Sequence, residues 1–540
     1  MVSDYTPPPT NAWSKLLYGK PGVTVSPIGL ATPGVKLANN GADYGPDTPG
    51  TMTSGGQEAL SSLSATGGNV VFLSGNFSWS TYLEVNVSNV QLIFASGAKI
   101  ILPANMWSLL NGNGQNFPPV IWVHNCTNVI IDNPCIDGTA NQSTFSGGIF
   151  AVAVDFGSSN ITVRDAYVTN INLWPYFAGG AGLGGITGTP ATYVKLIRCT
   201  ANASGTTTGA DGGGFKFDGG LTNALIEYPV VTNTNFFAFD LVMVSQTTIF
   251  CPIIYTSGIT SANQPLIYLE NIATVNAVPS NVDIISPHIT DYGGTTTRST
   301  GIFVFCAGHG IRISDPYIQG CNTGISIEQG TSTNQGSGYS ISGGLLLNQH
   351  GPGLFIGAVS GQGDGNVDGI TVTGLRCTDI QTTKTQTYGL QLFNNNTTQS
   401  TVKNVYVGHC DFRGNANSGV ALPSASGRTI DPTNQPSTFF GVWLDHCLGS
   451  DLSAFWQLGF SINTPSFPAS ATNVQNAFLF RVRIYLLTAG TMTAYQITDP
   501  SGNVQTITTA SFAGQEFILD PGASIQFTYT VAPTWKWYGV

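Results

Sequence analysis

Acidic residues recur at the ends of short segments that alternate apolar and polar side chains. FAVAVD ends at Asp155, GFKFD at Asp218, FFAFD at Asp240, LIYLE at Glu270 and GISIE at Glu328, with IFVFC ending at Cys306 between the last two. Stacked as equivalent strands, these segments place Asp155, Asp218, Asp240, Glu270 and Glu328 in one acidic column, interrupted by Cys306. Carboxylates about 5 Å apart do not all ionise freely, so some keep a proton near neutral pH. A column of this kind offers a general acid and a general base for glycoside hydrolysis, at ~5–5.5 Å for a retaining pair or ~6.5–9.5 Å for an inverting one. Lys216, two residues before Asp218, shares its face, and Tyr268 stands in the same relation to Glu270. The candidate catalytic residues are therefore Lys216, Asp218, Asp240 and Glu270, with Asp155, Tyr268 and Glu328 as candidate substrate contacts. Two other readings stay open. The carboxylates would hold Ca²⁺ with Lys216 as base, as in polysaccharide elimination, or they would only cap turns and meet water. No other cofactor is expected.

Aromatic residues add a second kind of contact. Trp174 and Tyr176 open NLWPYFAGGAGLGGITGTPATY, whose glycines suggest a projecting loop where flat rings could stack on sugars. Trp535, Trp537 and Tyr538 near the C-terminus offer the same surface or fill a small core. His409 and His446 lie in GHC and DHC, at equal places of neighbouring repeats, so their imidazoles are expected to stack. With only two nitrogens evident, a structural ladder is the simpler reading, and no metal ligand set is assigned.

The elements that hold these residues are legible as repeats. NVIIDNPCIDG, NITVRDAYVTN, NALIEYPVVTN, NVDIISPHITD, GIRISDPYIQG and NVYVGHCDFRG each begin with Asn or Gly and alternate for about four residues. They then reach Pro or another compact residue at the seventh place: Pro134, Ala166, Cys199, Pro229, Pro252, Pro287, Pro316, Gly344, Gly374, Cys410 and Cys447. Alternation of this length means strands with one buried face. A period of ~30 residues without helical segments means a solenoid of strands. The fold expected is all-β: a right-handed parallel β-helix of about twelve coils over residues 39–454, its rungs ~4.8 Å apart. From 455 to 540, DPSG and DPG turns join longer alternating segments into an antiparallel β-sandwich. Residues 1–38, with Pro7-Pro8-Pro9, read as an N-terminal arm or anchor.

Composition narrows the partners. Charged residues make up only 9% of the 540, and the net charge is −10. Without clustered Lys and Arg there is no electrostatic footprint for nucleic acid. No apolar run is long enough for a membrane span, and the first residues lack the apolar centre of a secretory signal. Nine cysteines show no CxxC pair, so their redox state stays open.

Residues 39–79, NNGADYGPDTPGTMTSGGQEALSSLSATGGNVVFLSGNFSW, resemble the start of pectate-lyase-superfamily β-helices, of the viral tail-spike or tail-fibre type. Gly67, Gly68, Val70, Val71, Leu73, Gly75 and Phe77 fall on that pattern, whereas Ser74 stands where the family has proline. The resemblance covers residues 38–450 as architecture and implies a capped β-helix. Gly308-His309-Gly310 with Arg312 resembles the corresponding segment of polygalacturonase-type glycoside hydrolases. That family also needs an Asp-Asp dipeptide upstream, which this sequence lacks, so His309 and Arg312 read as punctuation of the repeat.

Three functions follow as expectations. The first is a virion tail-spike, tail-fibre or surface adhesin that binds a host-surface polysaccharide or glycoprotein glycan, with or without cleaving it. It would be a homotrimer joined to other virion or tail proteins through the N-terminal arm. The rod resembles phage tail spikes and, more loosely, tail fibres of spindle-shaped archaeal viruses, which implies an extracellular or virion location. The second is a secreted polysaccharide hydrolase or lyase using the stacked carboxylates. The third is a purely structural rod.

Overall fold

A computed structural model describes residues 22–27, 42–48, 50–103, 119–138, 148–180, 189–202, 212–234, 236–256, 264–270, 279–293, 299–306, 308–329, 336–358, 367–394, 402–421, 439–449, 460–462, 464–478, 481–509 and 512–539. The chain forms two compact units, Met1–Asn322 and Thr323–Val540.

In the first unit each coil contributes one strand to each of three parallel sheets. The first sheet runs from Gly22–Val25 through Thr127–Asp132, Ser159–Arg164 and Thr192–Ile197 to His309–Ser314. The second runs from Leu83–Val85 through Phe150–Asp155, Trp174–Ala178, Phe215–Phe217 and Phe239–Val242 to Thr300–Cys306. The third, of shorter strands, runs from Gly75–Ser78 to Tyr317–Gln319. All pairing between coils is parallel, so the unit is a parallel β-helix. Gly22–Val25 lies within the stretch expected as an arm, yet pairs with Gly68–Phe72 as a further rung. Apart from residues 22–27, the expected arm lies outside the described residues.

Two left-handed backbone positions per coil explain the sequence rhythm. From Thr127–Asp132 onward in this unit, the second residue of each first-sheet strand has positive φ: Asn128, Asn160, Tyr193, Asn223, Gln246 and Asn281, then Gly310, so Asn or Gly holds five of the seven places. Asn and Gly tolerate that conformation better than other residues. The Asn side chains also pair upward, Asn160 Nδ2 donating to Asn128 Oδ1 (2.7 Å) and Asn128 Nδ2 to Asn89 Oδ1 (2.9 Å). A second left-handed residue directly follows the same strand, at Asn133, Asp165, Arg198, Tyr228, Cys251 and Ser286. The compact residue after it turns the corner, and its carbonyl accepts from the next coil: Pro134 from Tyr167, Cys199 from Val230, Pro252 from His288. In the second unit Gly374 is the left-handed residue (φ 67) and Leu375 holds the corner, accepting from the Asp411 N–H. The corner assigned to Gly374 from sequence is therefore one residue early.

The inward face of the second sheet is a ladder of rings. Tyr176 stacks on Phe215 (4.6 Å) and Phe215 on Phe239 (4.8 Å), all shielded from solvent. Each buried ring contributes about 1.5–3 kcal/mol of transfer free energy. Near the start of the chain, Gly56–Ser62 is the single helix among the described residues, with Ala59 and Leu60 buried. No helix among the described residues is long and apolar enough to cross a membrane.

The second unit repeats the winding, with first-sheet strands Gly336–Ser342, Val367–Thr373, Val402–Gly408 and Phe439–Asp445. It also contains two antiparallel sheets of four strands each, built from Phe460–Ser461 to Thr534–Gly539. Their core is Val482, Ile484, Leu486, Phe517, Leu519, Ile525, Phe527, Trp535 and Trp537. Trp535 and Trp537 are thus core residues, and Trp535 Nε1 donates to the Pro465 carbonyl (2.8 Å).

Candidate functional site

The second sheet of the first unit turns alternate residues outward, and the candidate carboxylates come from there. Their register is not the one expected. Lys216 pairs with Asp240, and Asp240 with Tyr268. Phe217 pairs with Leu241, which brings Asp218 opposite Val242, and Val242 pairs with Glu270. Asp240 therefore stands in the row of Lys216 and Tyr268, while Asp218 and Glu270 share the row two places on. The acidic column is two rows, because FFAFD repeats its aromatic alternation and Phe239, not Phe237, pairs with Phe215. A slip of two residues keeps every side chain on its face, so periodicity alone does not detect it. Cys306 does not interrupt the row either: Phe305 is the residue opposite Glu270.

The two rows meet at Lys216. Its ammonium donates to Asp240 Oδ2 at 2.6 Å and lies 4.0 Å from Asp218 Oδ2. It also sits 5.5 Å from the centroid of the Trp174 ring, a cation–π distance. Burial alone would lower the Lys216 ammonium, but Asp240, Asp218 and Glu270 outweigh it and hold it above its ordinary range. A lysine held this way is protonated and has no lone pair for proton abstraction, so the expected base role does not suit it. The same ammonium occupies the place a Ca²⁺ ion would need between Asp218 and Asp240, so this donor set does not fit calcium.

Asp240 is only 2% exposed, whereas Lys216 and Asp218 keep partial access. Burial raises the Asp218 carboxyl, against the opposing pull of Lys216 and the Gly219 N–H, which donates to its Oδ1 at 2.5 Å. Reaction chemistry can thus reach Lys216, Asp218 and the half-buried Glu270. Asp240 instead fixes the ammonium.

Asp155, two rungs before Lys216's coil, is 1% exposed. Trp122 Nε1 donates to its Oδ1 at 2.8 Å, while Oδ2 is buried without a hydrogen-bond partner among the described residues. Burial pushes this carboxyl up to about 7, and the Trp122 bond only partly offsets it. Trp122 stacks on His124 (4.1 Å), whose Nε2 lies 2.8 Å from Glu84 Oε1.

Trp174 and Tyr176 do not project on a loop. They belong to the strand Trp174–Ala178, and Tyr176 is 1% exposed, its hydroxyl donating to the Ala166 and Thr200 carbonyls. Tyr176 is therefore withdrawn as a substrate contact: it pairs with Phe215 and stacks on it within the core. Trp174 is also buried, but on the Lys216 side, stacked with Phe237 (6.3 Å). Phe237 stacks on Tyr268 (5.2 Å), and Tyr268 packs on Phe303 (5.5 Å). With Tyr82, Trp122, Phe150, Phe156 and Phe177, these rings make an aromatic band on the Lys216 side of the sheet, most of it buried, with Tyr82, Tyr268 and Phe303 partly exposed. Sequence reasoning missed Trp122, His124 and Phe237: PVIWVH shows bulky rings at outward positions, whereas Phe237 precedes the strand Phe239–Val242 and alternation does not place it. Glu328 lies in the second unit, opposite Gly357, with Ser326 Oγ donating to it at 2.8 Å. Burial raises its carboxyl as well.

The GHG segment performs structural work. His309 begins the strand His309–Ser314, and Arg312 pairs through two nitrogens with Asp283 on the preceding rung.

No family model matches the chain, and no curated protein matches it. Among solved structures it is similar to the A-module of the Azotobacter vinelandii mannuronan C-5 epimerase AlgE6, at 14% identity over 72% of this chain and 94% of that one, TM-score 0.47. It is similar to the catalytic unit of the GH87 alpha-1,3-glucanase of Streptomyces thermodiastaticus, at 11% identity over 80% and 70%, TM-score 0.46. It is also similar to ORF18 of Geobacillus virus E2, at 12% identity over 95% and 78%, TM-score 0.37. At these values the likeness is one of backbone winding and carries nothing about chemistry.

Proposed function

We propose that the chain is an extracellular glycan-binding β-helix, a surface or virion adhesin, whose ligand lies along the outer face of the second sheet between Trp122 and Phe303. The observation that carries this reading is Lys216, held between Asp240 and Asp218 against Trp174 within a band of rings. Aromatic faces stack on the apolar sides of sugar rings, while a few fixed charged groups orient hydroxyls or carboxylates. Binding of immobilised polysaccharides and glycoprotein glycans by the full chain tests it. Tyr268→Ala, and Lys216→Met combined with Asp240→Leu so that no buried charge is stranded, should each reduce binding at least tenfold without unfolding the protein; undiminished binding in both variants would remove the site.

Cleavage of the bound glycan is a second reading, favoured by the raised Asp218 carboxyl two rungs from Glu270 in one row. Two rungs span about 9.6 Å, which side chains can close to the spacing of an inverting pair. Asp218 would protonate the leaving oxygen and Glu270 would activate water. Release of reducing ends that disappears in both Asp218→Asn and Glu270→Gln supports cleavage; binding without product leaves the adhesin alone.

The proposed assembly is a homotrimer, since closed symmetry shelters exposed sheet edges, attached to other tail proteins through the residues before the Gly22–Val25 rung. A monomer by light scattering under native conditions would count against it.

A further inference from the structure

His409 and His446 bring a different chemistry to the second unit, independent of the glycan reading. Val402–Gly408 and Phe439–Asp445 are neighbouring parallel strands with Gly408 opposite Asp445. Each strand is followed by a histidine in left-handed conformation, φ 54 at His409 and φ 50 at His446. Both side chains therefore leave the same corner, and their rings stack with centroids 5.2 Å apart and planes 17° from parallel. Both histidines are exposed, while Cys410 and Cys447 beside them turn into the core. The third donor that the sequence did not reveal is Asp445 itself. One ligand atom from each of His409, Asp445 and His446 lies within 4.8 Å of the others. Tyr406 donates its hydroxyl to Asp445 Oδ2 (3.0 Å), and His446 Nδ1 lies 2.5 Å from Oδ1. An outer hydrogen bond of the Tyr406 kind orients a ligating carboxylate.

We propose that His409, Asp445 and His446 form a binding site for a divalent first-row transition metal such as Zn²⁺ or Cu²⁺. Two imidazoles and one carboxylate suit these ions, whereas Ca²⁺ and Mg²⁺ take oxygen donors. Water completes the coordination, since the corner is open to solvent. An exposed His446–Asp445 ion pair on its own would contribute little and would not need His409.

The full chain, stripped with chelator and titrated calorimetrically with ZnCl₂ at pH 7.5, should bind one Zn²⁺. His409→Asn and His446→Asn should each weaken that binding at least tenfold, Asn being chosen because it tolerates the left-handed corner. His309→Ala should leave it unchanged. Electron paramagnetic resonance of the wild-type chain with one equivalent of Cu²⁺ should show coupling to two imidazole nitrogens. Absence of saturable Zn²⁺ binding, equal binding by both Asn variants, or a Cu²⁺ spectrum without imidazole coupling would each overturn the assignment.

Discussion

Lys216 on one coil and Asp240 on the next stand opposite each other in register and meet at 2.6 Å, with the carboxylate 2% exposed and the ammonium against Trp174. Removing one partner of such a pair strands a buried charge, which costs about 3–5 kcal/mol, whereas replacing both with apolar groups is close to neutral. Asp240→Leu alone should therefore lower the unfolding free energy by roughly that amount. Lys216→Met with Asp240→Leu should recover most of it, as a double-mutant cycle in urea would show. Glycan binding should not return in the double variant, because the ammonium is gone.

Asp155 gives a pH signature. Its carboxyl is raised to about 7 in the folded chain, against about 3.9 unfolded. Between those values the folded state binds more protons than the unfolded, so stability falls as pH rises from about 4 to about 7. Above that window the full penalty applies, on the order of 4 kcal/mol at most. Asp155→Asn keeps an acceptor for Trp122 and removes the titration. Urea melts should find the variant more stable than wild type at pH 8 and nearly equal to it at pH 4.

Tyr176 and Tyr268 separate core from surface. Tyr176→Phe loses the single hydroxyl hydrogen shared between the Ala166 and Thr200 carbonyls, while the Ala166 carbonyl keeps the Thr200 N–H, and should cost about 0.5–1.5 kcal/mol. It should leave glycan binding intact. Tyr268→Ala should do the reverse, reducing binding with a smaller effect on melting.

Gly310 tests the account of the repeat. Its φ is +65, and an added Cβ would meet Asn281 Oδ1 at 2.8 Å. Asn occupies the same place on the preceding coil, so Gly310→Asn should be tolerated to within about 1 kcal/mol, whereas Gly310→Val, β-branched at positive φ, should cost clearly more. Neither this pair nor His309→Ala should change glycan cleavage or binding.

The winding of the chain was legible because its rules are local. Asn or Gly at a left-handed position, alternation over a few residues and a compact corner residue all act within one coil. The site was legible only in part. Lys216, Asp218 and Glu270 could be placed on one face from period-2 alternation, but Asp240 could not be assigned its row. Which residue of FFAFD begins the strand depends on Phe239 packing against Phe215 a coil away. Trp174 and Tyr176 misled for a related reason: the glycines after them belong to the connection, whereas the rings themselves are strand. Asp445 went unnoticed as a partner of the histidines because it ends an ordinary strand and gains its role only from the neighbouring rung.

The most direct measurement is a crystal structure of the chain with the oligosaccharide that binds it most tightly. The account predicts sugar density along the outer face of the second sheet, in contact with Tyr268 and within hydrogen-bond distance of Lys216 or Asp218. Density confined to the antiparallel sheets of residues 460–539, with that face bare, would contradict it.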